Sequence, residues 1–199
     1  MKIPSVKGIP WPLSHQSAGD NMYVIQVVGY KNSGKTTLVN HWIKFLTTRN
    51  YRVAALKHHG HGGEPRYDKN TDSFQHFRHG SHLSTVIGEE SFSMIGDNKS
   101  FPLPAILDFY KESDIDVVFI EGFKHMPLPK VAVISDDRDE ILIESLEEIK
   151  YIFTKTNGKR AFPVAGFHKY NQLFEAVERR WEDFSYQEIK NLIQRCWSN

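Results

Sequence analysis

A glycine-rich stretch near the start of the chain has the residue types and spacing of a phosphate-binding loop. Residues 29–36 read Gly-Tyr-Lys-Asn-Ser-Gly-Lys-Thr, which is the pattern Gly-x4-Gly-Lys-Ser/Thr. The glycines of such a loop let the backbone wrap closely around phosphate groups and point its N–H groups at their oxygens. The helix that follows adds its N-terminal partial positive charge. The pattern therefore predicts a site for a nucleoside triphosphate.

Most residues of this loop and the start of its helix are expected to bind the nucleotide. Lys35 should reach the β- and γ-phosphates, and the hydroxyl of Thr36 should be a ligand of Mg²⁺. Lys31 has two interpretations, a phosphate contact or a solvated loop lysine. The predicted nucleotide-binding residues of the loop are Gly29, Asn32, Ser33, Gly34, Lys35, Thr36 and Thr37.

A carboxylate for the metal is expected at the end of a neighbouring strand. Residues 116–122 read Asp-Val-Val-Phe-Ile-Glu-Gly, a buried strand stopped by glycine. Ligands of open α/β sheets bind at the carboxyl ends of strands. Glu121 lies at that end, and Asp116 lies at the other end, about 16 Å away. We therefore predict that Glu121 binds Mg²⁺ directly or through water, with an ordinary surface carboxylate as the alternative.

The elements that must position these residues alternate between strands and helices. Apart from Gln26, residues 23–28 are β-branched or aromatic, which is typical of a strand buried on both faces. The alternation predicts an α/β fold of the P-loop NTPase-like kind, with an open, mostly parallel sheet flanked by helices. Further strands are predicted at 53–57, 85–87, 92–95, 116–121 and 130–134, with 151–153 as the last strand. Helices are predicted from about Lys35, within 58–82 after a loop, from 102 to 112 and from 186 to 197, and an exposed acidic loop and helix at 136–150.

Length and composition indicate how many domains to expect and argue against nucleic-acid-binding and membrane-spanning classes of protein. Of the 199 residues, we expect 22–199 to form one nucleotide-binding domain and 1–21, which contain three prolines and no apolar core, to be a flexible extension. Upstream readthrough is an alternative for that extension, because Met22 directly precedes the first strand. The net charge of +1 gives no footprint for nucleic acid, and no apolar run approaches the roughly 18 residues of a membrane span. The single cysteine, Cys196, fits a reducing cytoplasm.

Four stretches together make the chain similar to a known family. They are Val-Val-Gly-Tyr-Lys-Asn-Ser-Gly-Lys-Thr-Thr-Leu at 27–38, Leu-Lys-His-His-Gly-His-Gly-Gly at 56–63, Asp72-Ser73 followed by Gly80, and Ile-Glu-Gly-Phe-Lys-His at 120–125. On these residues the chain resembles the molybdopterin-guanine dinucleotide biosynthesis protein B family, MobB. The second and fourth stretches are far more specific than the phosphate loop, which many families share.

The resemblance implies a GTP-binding accessory protein of molybdenum cofactor biosynthesis. Such proteins are dimeric, slow GTPases that assist a MobA-type guanylyltransferase in forming molybdopterin guanine dinucleotide. The implied cofactors are GTP and Mg²⁺, with molybdopterin as a further ligand. By the resemblance, Asp72 belongs to a mobile segment near the γ-phosphate and joins Lys35 and Glu121 as a catalytic residue. Lys57, His58, His59 and Gly122 would lie at the same face, toward the pterin or the partner.

Two departures from the family pattern matter. Where the family has Ala-Gly-Ala, this chain has His79-Gly80-Ser81. Guanine recognition often uses an Asn/Thr-Lys-x-Asp signature, but residues 154–157 read Thr-Lys-Thr-Asn. An amide does not accept two hydrogens as a carboxylate does. Guanine preference therefore follows from the resemblance alone.

Six of the ten histidines lie between residues 58 and 82, which suggests a second function. Imidazole binds zinc and nickel, so a GTP-dependent metallochaperone is the alternative. Contacts to phosphate or pterin, or ordinary loop histidines, are the other interpretations. A small-molecule kinase is less favoured, because Arg66 and Arg78 do not form an arginine cluster. The histidines concerned are His58, His59, His61, His76, His79 and His82.

Overall fold

A computed structural model describes residues 21–60, 63–136, 139–154 and 164–197. Most of the predicted N-terminal extension, His61, and residues 155–157 of the Thr-Lys-Thr-Asn stretch lie outside the described residues.

The described strands form two sheets. The larger sheet has six strands in the order β2-β5-β1-β6-β7-β8, and all of its neighbours are parallel. The smaller sheet is an antiparallel hairpin of β3 and β4. In chain order the strands are β1 (Tyr23–Val28), β2 (Val53–Lys57), β3 (Leu83–Ile87), β4 (Phe92–Gly96), β5 (Val117–Glu121), β6 (Lys130–Ile134), β7 (Ile149–Thr154) and β8 (Gly166–Phe167).

Helices cover both faces of the larger sheet. Successive residues of β1 point to opposite faces, so Ile25 packs with α1 and α5 while Val24 packs with α3 and α6. Burial on both sides explains the nearly continuous apolar sequence of β1, β5 and β6. The helices are α1 (Lys35–Thr47), α2 (Asp72–Arg78), α3 (Leu103–Glu112), α4 (Glu140–Ser145), α5 (Tyr170–Glu178) and α6 (Tyr186–Trp197).

The predicted fold class is confirmed, and two details of the prediction were wrong. Residues 151–153 do not form the last strand, because the two-residue strand β8 follows and pairs with β7. The segment 136–150 is exposed only in part, because Leu142 and Leu146 of the α4 region pack into the core. Helix α5 and a 3₁₀ turn at Trp181–Phe184 had no counterpart in the prediction.

The end of the described chain closes over its beginning. Tyr186 N donates to the carbonyl oxygen of Met22 at 2.8 Å, and an isolated antiparallel bridge joins Tyr23 to Ser185. Helix α6 thereby covers the face of β1 on which Val24 lies. None of the helices in the described ranges is both long enough and apolar enough to span a bilayer.

Helix α2 and the β3–β4 hairpin form a separate part of the fold, residues 72–96, which we call the hairpin unit. Ser84 is its only buried residue. Ile87 is 82% exposed and Phe92 is 61% exposed, and these two residues are paired across the hairpin. Apolar side chains in this unit thus face outward, unlike those of the larger sheet.

Candidate functional site

The phosphate loop joins β1 to α1 and is packed against β6. A Cβ atom on Gly29 would lie 2.6 Å from the carbonyl oxygen of Val133 and 2.6 Å from the hydroxyl of Ser33. Such approaches are too close for any side chain, so only glycine allows the loop to lie here. At the far end of the loop, Gly34 precedes α1 and no side chain caps that helix. The first N–H groups of α1 are therefore available to an anion.

Ser33 supplies a second observation that fits a phosphate ligand. Its hydroxyl is buried and has no hydrogen-bond partner among the described residues. Buried polar atoms in native proteins nearly always have a partner. A phosphate held by the loop and by the start of α1 would offer acceptor oxygens to this hydroxyl, so the loop fits the predicted group.

Lys35 is the first residue of α1, and its side chain turns back onto the loop. Its ammonium donates a hydrogen bond to the carbonyl oxygen of Tyr30 at 2.5 Å. Burial lowers the pKa of Lys35, Glu121 opposes that shift, and the nearby charges of Lys124 and Lys57 add to it. Lys124 reaches the loop from another segment, with its ammonium 4.8 Å from the centre of the Tyr30 ring. The positive charges of Lys35, Lys57 and Lys124 therefore all lie near one loop.

The structure brings Thr36 and Glu121, the two predicted Mg²⁺ ligands, into contact. The hydroxyl of Thr36 donates to the carboxylate of Glu121, at 3.0 Å from Oε2 and 3.1 Å from Oε1. The ammonium of Lys57 lies 3.0 Å from Oε1 of the same carboxylate. Glu121 ends β5, where it is paired with Lys57 of β2 and Val27 of β1. A hydroxyl and a carboxylate are oxygen ligands of the kind Mg²⁺ prefers.

Gly122 and His58 pack tightly beside this carboxylate. Gly122 has φ 108°, and a Cβ atom there would lie 2.9 Å from Cβ of His58. The ring of His58 stacks on Phe123 with 4.1 Å between centres, and its backbone N–H donates to the carbonyl oxygen of Glu121. His58 thus helps to shape the site through packing, although both His58 and the neighbouring His59 are exposed.

Asp72 and three histidines of the 58–82 stretch, His76, His79 and His82, lie in the hairpin unit. Asp72 begins α2 and, within the described residues, makes no hydrogen bond or ion pair with the phosphate loop or with Glu121. His79 Nδ1 lies 2.7 Å from the carbonyl oxygen of Gln75, and His82 Nδ1 lies 3.2 Å from Asp97. No group of three or more potential metal ligands is assembled in the part of the chain that the structure describes. The described histidines of the 58–82 stretch are therefore not brought together at one point.

Two buried polar side chains beside the site had no role in the sequence analysis. Gln26 Nε2 donates to the carbonyl oxygens of Gly122 and Phe123, at 2.7 and 2.6 Å. Lys130 Nζ donates to the carbonyl oxygens of Met126 and Glu147, at 2.8 and 2.7 Å. Both side chains are fully buried or nearly so. The available signal was a glutamine inside an otherwise apolar strand sequence.

Comparisons with known proteins identify the family to which the chain is similar. The family model described as "Molybdopterin guanine dinucleotide synthesis protein B" matches residues 24–155. A Bacillus subtilis protein described as a "probable molybdopterin-guanine dinucleotide biosynthesis adapter protein" is 32% identical over 135 residues, covering 66% of this chain and 76% of that protein. A Haemophilus influenzae protein described as a "molybdopterin-guanine dinucleotide biosynthesis adapter protein" is 29% identical over 136 residues, covering 66% of this chain and 74% of that protein.

Solved structures show the same fold. The crystal structure of a MobB protein homolog from Bacillus stearothermophilus superposes with a TM-score of 0.61 at 25% identity, covering 80% of this chain and all of that one. Bacillus subtilis MobB gives a TM-score of 0.62 at 25% identity, covering 79% and 97%.

Proposed function

The chain belongs to the molybdopterin guanine dinucleotide synthesis protein B family, and on that premise we propose that it is a GTP-binding accessory protein of molybdenum cofactor biosynthesis. Its relatives are named as adapter proteins of molybdopterin-guanine dinucleotide biosynthesis. Its role is to assist a MobA-type guanylyltransferase in joining a guanine nucleotide to molybdopterin.

The contact between Thr36 and Glu121 carries the proposal. It joins the start of α1 to the end of β5 and sets a hydroxyl and a carboxylate next to the phosphate loop. In this proposal, both residues hold Mg²⁺, which would neutralise phosphate charge. Lys35 binds the β- and γ-phosphates. The other loop residues that bind the nucleotide are Gly29, Asn32, Ser33, Gly34 and Thr37.

Hydrolysis of GTP is expected to be slow. Phosphoryl transfer depends mainly on positioning and charge neutralisation, and fast enzymes of this class add an arginine finger. The described partners of Lys35 and Glu121 are Tyr30, Thr36 and Lys57, and no arginine is among them. Asp72 belongs, by family resemblance, to the segment that responds to the γ-phosphate. The preference for guanine also rests on the family.

A homodimer is part of the proposal, and the hairpin unit is its contact surface. Strand pairing puts Leu83, Ile87, Phe92 and Met94 on one face of the hairpin, because Ile87 is opposite Phe92. A two-stranded sheet is marginal by itself, and an exposed apolar face of this kind marks an interaction surface. A second copy of the chain would cover it. Lys57, His58 and His59 lie outside the hairpin unit, and in this proposal they face molybdopterin or the guanylyltransferase.

Nucleotide binding by Lys35→Ala is the direct test. Calorimetry with Mg²⁺ and GTP should show at least a tenfold loss of affinity, because a charge-assisted phosphate contact is removed. Lys44→Ala is the matched control, since Lys44 is an exposed lysine on the same helix. Affinity of Lys35→Ala equal to that of the control would refute the site. Competition between GTP and ATP then tests the base.

The accessory role needs a separate experiment. The chain should be mixed with molybdopterin and a guanylyltransferase, with and without GTP. We expect nucleotide-dependent association and faster formation of the dinucleotide cofactor. If neither is observed with protein that binds GTP, the site stands and the accessory role is wrong.

A further inference from the structure

The connection from β5 to β6 is unusual for parallel strands. Strand β1 lies between these two strands, so residues 122–129 must cross one face of β1 to return to the start of β6. Parallel strands are usually joined through a helix, which satisfies its own backbone groups. This crossover contains no helix, and its carbonyl groups need other partners where they are buried.

Gln26 and Lys130 supply those partners from the sheet. The two residues are paired neighbours on β1 and β6, and their side chains lie under the crossover. Gln26 binds its first two carbonyl oxygens and Lys130 binds that of Met126. Lys130 also binds the carbonyl oxygen of Glu147, just before β7. The crossover is thus tethered at two points by side chains that solvent does not reach.

The tethered segment brings two side chains to the phosphate loop. Phe123 has φ 50°, an unfavourable backbone conformation for this residue, and Gln26 binds its carbonyl oxygen. The Phe123 ring stacks on His58, and the next residue, Lys124, places its ammonium over Tyr30. The position of Lys124 therefore depends on a backbone conformation that Gln26 stabilises.

We propose that Lys124 binds the phosphates of the nucleotide, and that Gln26, together with Lys130, is a positioning residue that holds Lys124 beside the phosphate loop. This inference rests on the proposed GTP site. Tyr30 joins the two cations, because its carbonyl oxygen accepts from Lys35 and its ring lies under Lys124. A polyanion on the loop gains from both charges.

A double-mutant cycle with Gln26→Met and Lys124→Met tests the coupling. Methionine keeps the size of each side chain and removes its hydrogen-bond donors. With Mg²⁺ and GTP in calorimetry, we expect each single variant to lose affinity about five- to tenfold. The double variant should bind within about twofold of Lys124→Met alone, because Gln26 acts through Lys124. Additive losses would overturn the positioning role.

Ile25→Val is the matched control for Gln26→Met. Ile25 is buried in the same strand and packs on the opposite face, so its shortening disturbs the core without touching the crossover. Its affinity for GTP should stay within about twofold of wild type. The side chain of Lys124 is partly exposed, so the test with Lys124→Met remains possible even if Gln26→Met does not fold. Unchanged affinity of Lys124→Met would overturn the phosphate contact.

Amide hydrogen exchange separates this inference from the proposed function. Gln26→Met should speed exchange at 122–128 relative to Ile25→Val, while the amides of α1 stay protected. This experiment needs no nucleotide, and equal exchange rates in the two variants would overturn the tether. A wild-type chain that binds no GTP would refute the proposed function and the role of Lys124 with it.

Discussion

The larger sheet and the hairpin unit use similar residues in opposite ways. Strands β1, β5 and β6 bury valine, isoleucine and phenylalanine between two layers of helices. Strands β3 and β4 also contain valine, isoleucine and phenylalanine, but none of these is buried. The only buried residue of the two strands is Ser84. The difference lies in what covers the strands rather than in their sequences. The sheet packs against its own chain, whereas the apolar face of the hairpin unit is exposed in the described structure.

The residues of the candidate site are also divided between the larger sheet and the hairpin unit. The phosphate loop, Glu121 and Lys57 all lie at one edge of the larger sheet, held by buried strands. Asp72 lies in the exposed unit. Buried strands thus hold the groups that we propose to bind phosphate and metal, and the group expected to respond to the nucleotide lies on the exposed hairpin unit. Three predictions test this division, in order of decreasing effect.

Truncation of one aromatic side chain in each region should have very different effects. Trp42 is fully buried and packs against Phe119 and Phe174. Trp42→Ala should lower the free energy of unfolding by about 3–5 kcal/mol. Phe92→Ala, in the exposed hairpin, should lower it by less than about 1 kcal/mol. Denaturant unfolding at low protein concentration measures both. A comparable loss at Phe92 would show that the hairpin face is already buried.

Lys130 should give the larger sheet a pH dependence that the hairpin unit lacks, since residues 72–96 contain no lysine. Burial lowers the pKa of Lys130 to about 8, although Glu148 and Glu147 oppose the shift. Above that pH the folded chain has released a proton that the unfolded chain still binds. The free energy of unfolding should therefore rise between about pH 8 and 10, relative to Lys130→Met, by on the order of 2 kcal/mol.

Unfolding curves of wild type and Lys130→Met at several pH values in that range measure the effect. Only the difference between the two proteins is informative, because several tyrosines, Tyr110 among them, have raised pKa values that act above pH 10. Parallel pH profiles for the two proteins would contradict the prediction.

Polar substitutions on the hairpin face should weaken self-association and leave folding intact. Ile87→Ser and Phe92→Ser should each raise the dimer dissociation constant about tenfold, or ~1.4 kcal/mol, because apolar contact area is lost. Ile141→Ser is the control, since Ile141 is an exposed isoleucine of α4, in the other region. Sedimentation over a range of concentrations compares them. Equal effects in the two regions would remove the hairpin as the dimer contact.

Much of this architecture could be predicted because it depends on local patterns. Strand β1 follows from a nearly continuous run of β-branched and aromatic residues, the phosphate loop from its glycines, and α1 from apolar residues at helical spacing. The meeting of Thr36 and Glu121 follows from a general rule, that the carboxyl ends of parallel strands share one edge of the sheet. Both predictions needed only the order of elements and no knowledge of side-chain packing.

The rest depends on tertiary contacts that local patterns do not contain. Gln26 and Lys130 are separated by more than one hundred residues, and their role depends on where the crossover passes over β1. Strand β8 is too short to produce an alternating pattern. The dense histidines between 58 and 82 suggested a common site, but the described ones are divided between the sheet edge and the hairpin unit.

The closure of strand β1 by helix α6 has a consequence for synthesis. Residues 24–155, which match the family, contain every residue placed here in the site. The helices α5 and α6 come later, and each covers one face of the sheet. A ribosome therefore releases the residues of the proposed nucleotide site well before these two helices that cover the sheet. We expect the nascent chain to need residues 170–197, which contain α5 and α6, before the loop can bind a nucleotide, and to depend until then on chaperones that shield the open sheet.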